Sequence, residues 1–142
     1  GKQALLAAML TRVSEELLAG GLECAAAATD ADSLLAALIE QQVQFALRQP
    51  DLIVVHAREL RQLDDQQAHV VRALQRQYVD VWVDALRRTH PRVQKARATV
   101  AVQAAIGLIN STPYVHGLGR AATATLLREM ALAALAAVSP AH

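Results

Sequence analysis

Val100-Ala101-Val102-Gln103-Ala104-Ala105-Ile106-Gly107-Leu108-Ile109 holds a single polar side chain, Gln103. Its apolar positions fill every side of a helix rather than one stripe, and a helix apolar all round is buried all round. The chain has 142 residues, enough for one domain with a sizeable core. One side of this helix is therefore expected to meet the core and the other a partner subunit. A second segment, from about Arg120 to Val138, has the same character. Leu126, Leu127, Met130, Leu135 and Val138 form its larger stripe, and alanines keep much of the rest small. Small residues let two helices approach closely. The partner-facing set is expected to be Val100, Ala101, Ala104 and Leu108 of the earlier segment, with Leu127, Met130 and Ala134 of the later one.

Working outward, punctuation divides the chain into about six helices. The first runs from Lys2 to about Ala19 and is expected to stop at Gly20-Gly21, a strong terminating pair. Thr29, Asp30 and Asp32 offer caps for a second, with the stripe Leu34, Leu35, Leu38, Ile39, Gln42, Phe45 and Ala46. It ends before Pro50, since the residue before proline disfavours helical geometry. Pro50 suits the first turn of a third helix, where its missing N–H costs nothing. Leu52, Ile53, His56, Leu60 and Leu63 share one side there. Asp64-Asp65 favours the start of a fourth helix, and Arg87, Arg88 and His90 suit its end. Pro91 is expected to open the fifth, which runs to about Ile109, and Asn110-Ser111-Thr112-Pro113 breaks it.

Composition excludes several classes of function. The chain is 54% hydrophobic but only 3% aromatic, and its formal net charge is +1. No global field draws nucleic acid or anionic membrane to it. No segment alternates with period two, and the longest uncharged run, Ala98 to Gly119, is interrupted by Gln103, Asn110, Ser111 and Pro113, which argues against a membrane span. Lone Cys24 precludes an internal disulfide, and the expected compartment is the reducing cytoplasm. Enzyme motifs are absent: there is no phosphate-cradling glycine loop and no Gly-x-Ser-x-Gly elbow. His56, His69, His90, His116 and His142 are dispersed, so no metal site is expected. The adjacent pairs Glu15-Glu16 and Asp64-Asp65 point in different directions on a helix. Neither catalysis nor a cofactor is expected.

The opening residues run straight into helix-spaced Leu6, Met9, Leu10, Val13 and Leu17, and the chain is expected to be a fragment of a longer protein. Lys2-Gln3-Ala4-Leu5-Leu6 resembles the junction, in the TetR/AcrR family of bacterial repressors, where the DNA-binding headpiece gives way to the regulatory domain. Gly1 stands where that family usually has an N-capping Ser. The stretches His56-Ala57-Arg58-Glu59-Leu60-Arg61, Arg76-Gln77-Tyr78-Val79-Asp80-Val81-Trp82-Val83 and Gly107-Leu108-Ile109-Asn110-Ser111-Thr112-Pro113 resemble one subset of the family. The order of helices resembles it over essentially the whole chain. That resemblance implies a single all-α regulatory domain over residues 1–142, with the helix-turn-helix domain absent from this chain. It implies a connecting helix, a bundle around a pocket, and two last helices that form a four-helix bundle with a second copy. A small molecule enters, the first helix tilts, and the paired headpieces lose the spacing their operator demands. The effector shifts that equilibrium only by its differential affinity for the two states. Without a headpiece, this chain is not expected to bind operator DNA.

The pocket is expected among the second to fifth helices, and its candidate ligand contacts are polar or aromatic residues on apolar faces. His56 falls between Ile53 and Leu60, either as a ligand contact or as a core histidine bonded to a neighbour. Tyr78 and Trp82 are four apart and share a face. They suit a pocket that orients a mostly apolar ligand, or ordinary packing, and Phe45 has the same ambiguity. Gln103 needs a partner wherever it is buried, across the bundle, across a dimer axis or on a ligand. Asn110, near a helix end, suits a turn and completes the candidate set. The functional expectation is an effector-binding, homodimerising domain of a transcriptional repressor that senses a hydrophobic or amphipathic small molecule. The alternative is a stand-alone helical lipid carrier or adaptor without DNA binding.

Overall fold

A computed structural model describes residues 1–140; His142, one of the five dispersed histidines, lies outside them. Six helices follow one another: α1 (Lys2–Ala27), α2 (Ala31–Arg48), α3 (Pro50–Glu59), α4 (Asp65–Thr89), α5 (Lys95–Ile109) and α6 (Arg120–Ala136). Short 3₁₀ turns at Leu60–Gln62 and Thr112–Tyr114 complete the order, with no strand among the described residues.

The helix starts follow local chemistry. Asp30 caps α2 by accepting from the Ser33 backbone N–H at 2.7 Å. Pro50 occupies the first turn of α3. At α4, Asp64 accepts from the Gln67 backbone at 2.7 Å while the Gln67 side chain accepts from the Asp64 N–H at 3.2 Å. This reciprocal box satisfies two otherwise orphaned donors.

Two boundaries differ from the sequence expectation. α1 does not stop at Gly20-Gly21 but continues to Ala27. A Cβ on Gly20 would lie 1.8 Å from Gln41 Oε1, and one on Gly21 would lie 3.2 Å from the Tyr78 ring. The glycines therefore serve close helix approach rather than termination, and tertiary packing overrides their low propensity. Pro91 does not open α5, which begins at Lys95. Val93 is instead buried as a plug. The Arg87 guanidinium donates to its carbonyl at 3.1 Å, so that carbonyl is occupied from outside the helical ladder.

α1 lies along α4; α2 packs on α4 and α6; α5 lies between α4 and α6. The main core gathers Leu38, Ile39 and Val43 of α2, Trp82, Val83 and Leu86 of α4, Val102 and Ile109 of α5, and Leu127 and Leu135 of α6. Each such side chain stabilises the fold by roughly 1.5–3 kcal/mol. A smaller cluster of Ala7, Leu10, Leu63, Ala68 and Val71 joins α1 to the start of α4. Arg128 of α6 holds Glu40 of α2 through Nε and Nη2, with Nη2 donating to Oε1 at 3.2 Å.

α5 and α6 each turn one face inward and one outward. Ala98, Val102, Ala105 and Ile109 of α5 and Ala124, Leu127, Ala131 and Leu135 of α6 are buried within the chain. Outside remain Val100 (66% exposed), Met130 (47%), Leu126 (44%) and Leu132 (41%), with Ala104 and Ala134 also exposed. Leu127 thus departs from the partner-facing set: spacing of three and four residues aligns it with Ala124 and Ala131, and it fills the core. Ala101 and Leu108 are partly buried and pack against that core. No helix among the described residues is long and apolar enough to cross a membrane.

Candidate functional site

Between α1, α3 and the adjoining faces of α2, α4 and α5 lies a cavity of about 570 Å³, within the usual size range of small-molecule sites. The sequence explains why it stays open. The chain holds one Phe, one Trp and two Tyr, and α3 has no buried residue. Few bulky aromatic side chains are present to fill the space, and Trp82 is committed to the core.

All five helices contribute to the wall. Leu10, Val13 and Leu17 come from α1, Phe45 and Gln42 from α2, and Leu52, Ile53 and His56 from α3. From α5 and its C-cap come Thr99, Gln103, Ile106 and Asn110, whose spacing puts them on one helical face. α4 supplies Tyr78 and Val79, and also Arg72, Gln75, Arg76 and Asp80. Arg72, Arg76, Asp80 and Gln103 are the wall residues that remain exposed, so the mouth opens between α4 and α5. α1 is a wall element that the expectation of a pocket among the second to fifth helices leaves out.

The polar wall is joined across helices. The Tyr78 hydroxyl donates to Gln42 Oε1 at 2.8 Å, and Gln42 Nε2 donates to Asn110 Oδ1 at 2.9 Å. Gln41 Nε2 donates to the Leu17 carbonyl at 3.1 Å and reaches the Tyr78 oxygen at 3.4 Å. Burial pushes the Tyr78 phenol up to about 12, so it is a neutral donor at physiological pH. Burial also lowers the His56 pKa below its ordinary value of 6.5, because a desolvated imidazolium is disfavoured. Gln75 Nε2 bonds the His56 ring at Nε2; with the amide donating, the ring proton sits on Nδ1.

Five of the six residues expected at the ligand line this cavity: Phe45, His56, Tyr78, Gln103 and Asn110. Trp82 does not. It is fully buried, edge-on to Tyr78 with ring centroids 6.1 Å apart and planes at 79°. Four residues of helix advance a side chain about 6 Å, which carries Trp82 past the end of the cavity into the packed core. Gln103 differs in another way: it lies exposed at the mouth rather than buried. Gln42 carried the same signal as Gln103, a polar residue within the stripe Leu38-Ile39-Phe45, and the structure makes it the hub of the network. Arg72, Gln75 and Arg76 carry no sequence signal of a ligand contact, because charged and polar residues on a long helix read as its solvated face.

The wall offers hydrogen bonding and apolar contact to a guest. No group of three His, Cys, Asp or Glu residues able to hold a metal occurs among the described residues. Cys24 does not line the cavity, and burial and neighbouring Glu23 raise its thiol pKa.

A family model described as tetracyclin repressor-like, C-terminal domain, matches residues 28–114, the span from the start of α2 to the second 3₁₀ turn. The crystal structure of a TetR-family transcriptional regulator from Bordetella parapertussis 12822 is similar over 99% of this chain and 77% of that one, with a TM-score of 0.82 and 21% identity. That likeness is one of fold. No curated protein matches the chain. The family match covers more than half of the 142 residues, and the chain belongs to the tetracyclin repressor-like C-terminal domain family.

Proposed function

We propose that this chain is the effector-binding and dimerisation domain of a TetR-like repressor, and that its effector is a hydrophobic or amphipathic small molecule. The observation that carries this reading is the cavity of about 570 Å³ walled by five helices, apolar over most of its lining and crossed by one satisfied polar network. A guest there touches α1 through Leu10, Val13 and Leu17. In the repressor reading, α1 continues from a DNA-binding headpiece that precedes Lys2, so displacement of α1 changes half-site spacing. Gln41 and Gly21 tie α1 to Tyr78 on the wall, a physical route for that coupling.

Titration calorimetry of the chain with a panel of straight-chain C8–C14 amphiphiles tests the reading. The expected result is saturable one-to-one binding with a negative heat-capacity change, abolished by filling the cavity with Ile106→Trp. Absence of binding across the panel contradicts it. Dimerisation is proposed through the uncovered apolar faces of α5 and α6, around Val100, Ala104, Leu126, Met130 and Ala134. Sedimentation should find a dimer in the unmodified chain and a monomer in Ala104→Glu or Ala134→Glu; a monomeric unmodified chain contradicts the interface.

A further inference from the structure

The geometry points to an effector with an anionic head, a carboxylate or similar group, held at the cavity mouth by Arg72 and Arg76 while its apolar body fills the space behind. This rests on the effector-cavity reading and adds to it the charge of the ligand. The titratable side chains on the wall are His56, Arg72, Arg76, Tyr78 and Asp80. Tyr78 and His56 are neutral at physiological pH, which leaves two guanidiniums against one carboxylate.

Neither arginine has an ion-pair partner among the described residues. Asp80 lies one turn beyond Arg76 yet forms no ion pair with it within 4.0 Å, although four-residue spacing on a helix permits one. The guanidinium donors at the mouth are thus uncommitted. Arg72 and Arg76 are themselves one turn apart, so both forks reach the same stretch of the opening. Guanidinium geometry matches a carboxylate with two parallel hydrogen bonds. Gln75, located between the two arginines in the α4 sequence, is tied to the His56 ring instead and does not compete for the anion. Deeper in, the wall turns aliphatic, with Leu10, Val13, Leu17, Ile53 and Ile106. A molecule with one charged end and one apolar end therefore has a unique orientation. A cationic head in that orientation faces two like charges, and a neutral head gains neither pairing.

Binding of decanoate, decanol and decyltrimethylammonium to the full chain, each below its micelle concentration, tests this by calorimetry. Exposed ion pairs are individually modest, so the preference for decanoate over decanol should be roughly tenfold for two arginines at low salt. It should shrink as ionic strength rises. Arg72→Gln/Arg76→Gln should abolish the preference, bringing decanoate and decanol to equal affinity; unchanged circular dichroism controls for folding. Equal binding of decanoate and decanol, or a preference that survives the double substitution, overturns the anionic-head inference and leaves the effector cavity standing. Binding of none of the three overturns both.

Discussion

The two halves of α4 pass through different surroundings. From Tyr78 onward it presents Trp82, Val83, Ala85 and Leu86, all fully buried against α2, α5 and α6. Before Tyr78 only Ala68 and Val71 are buried, and Arg72, Gln75 and Arg76 face an unfilled space bounded by α1 and α3. One end of the helix is a close-packed platform. The other is one wall of a container whose opposite wall, α3, buries no residue. In a close-packed interior a lost methylene is felt at once, whereas a wall that already borders a cavity has less to lose. The fold thus separates the part that fixes the architecture from the part free to respond to a guest. Tyr78 stands at the border, donating to Gln42 and accepting from Gln41, both on α2.

The contrast can be broken by substitution. Trp82→Ala should cost about 3–5 kcal/mol in urea unfolding, as large-to-small changes in a filled core do. If it costs under 1 kcal/mol, the platform is not packed as described. Tyr78→Phe should cost about 1–3 kcal/mol, because it strands the acceptor of Gln42, which is 2% exposed. Ile53→Ala, on the half-buried cavity wall, should cost about 1 kcal/mol or less. Its main effect should be on the affinity of an apolar ligand. Equal losses for Ile53→Ala and Trp82→Ala would erase the distinction between the two ends of α4.

The sequence carries the architecture around this division, though not the division itself. The all-α class followed from the apolar spacing and from the punctuation at Asp30, Pro50 and Asp64. The outward apolar faces of α5 and α6 followed from segments too apolar for one subunit to cover. What was not legible depends on distance in space. Gly20-Gly21 read as a terminator because its partners, Gln41 and Tyr78, are far away along the chain. Leu127 reads equally well as inward or outward, because a helix apolar on both sides does not declare which face turns in. Trp82 and Tyr78 share a face, and only the position of the cavity's end separates their environments. The arginines at the mouth looked like solvated charges, and they become meaningful only once α5 closes the other side.

Smaller effects sharpen the same comparison. His56, on the container side, has its folded pKa lowered by burial from 6.5. The unfolded chain therefore takes up the proton first as pH drops. Stability is complete above 6.5 and declines as pH falls through the folded value. Unfolding midpoints against pH should show this loss below 6.5, and His56→Gln should remove it. The carboxylate of Glu40 also has a lowered pKa, from its hydrogen bond with Arg128, but its contribution is lost at more acidic pH, below the ordinary 4.5. On the platform side, a double-mutant cycle on Glu40 and Arg128 should give only about 0.2–1 kcal/mol, since both side chains are more than a third solvent-accessible. A coupling well above that range would make the α2–α6 contact a principal stabiliser rather than a minor clasp.

Amide hydrogen exchange tests the division most directly, measured on the chain alone and saturated with whichever decyl amphiphile calorimetry shows to bind. The prediction is slowed exchange in α1, α3 and the part of α4 before Tyr78, with little change at Trp82, Val83 and Leu86, which are already protected. Unaltered exchange along α1 and α3, or protection confined to the outer faces of α5 and α6, would contradict it.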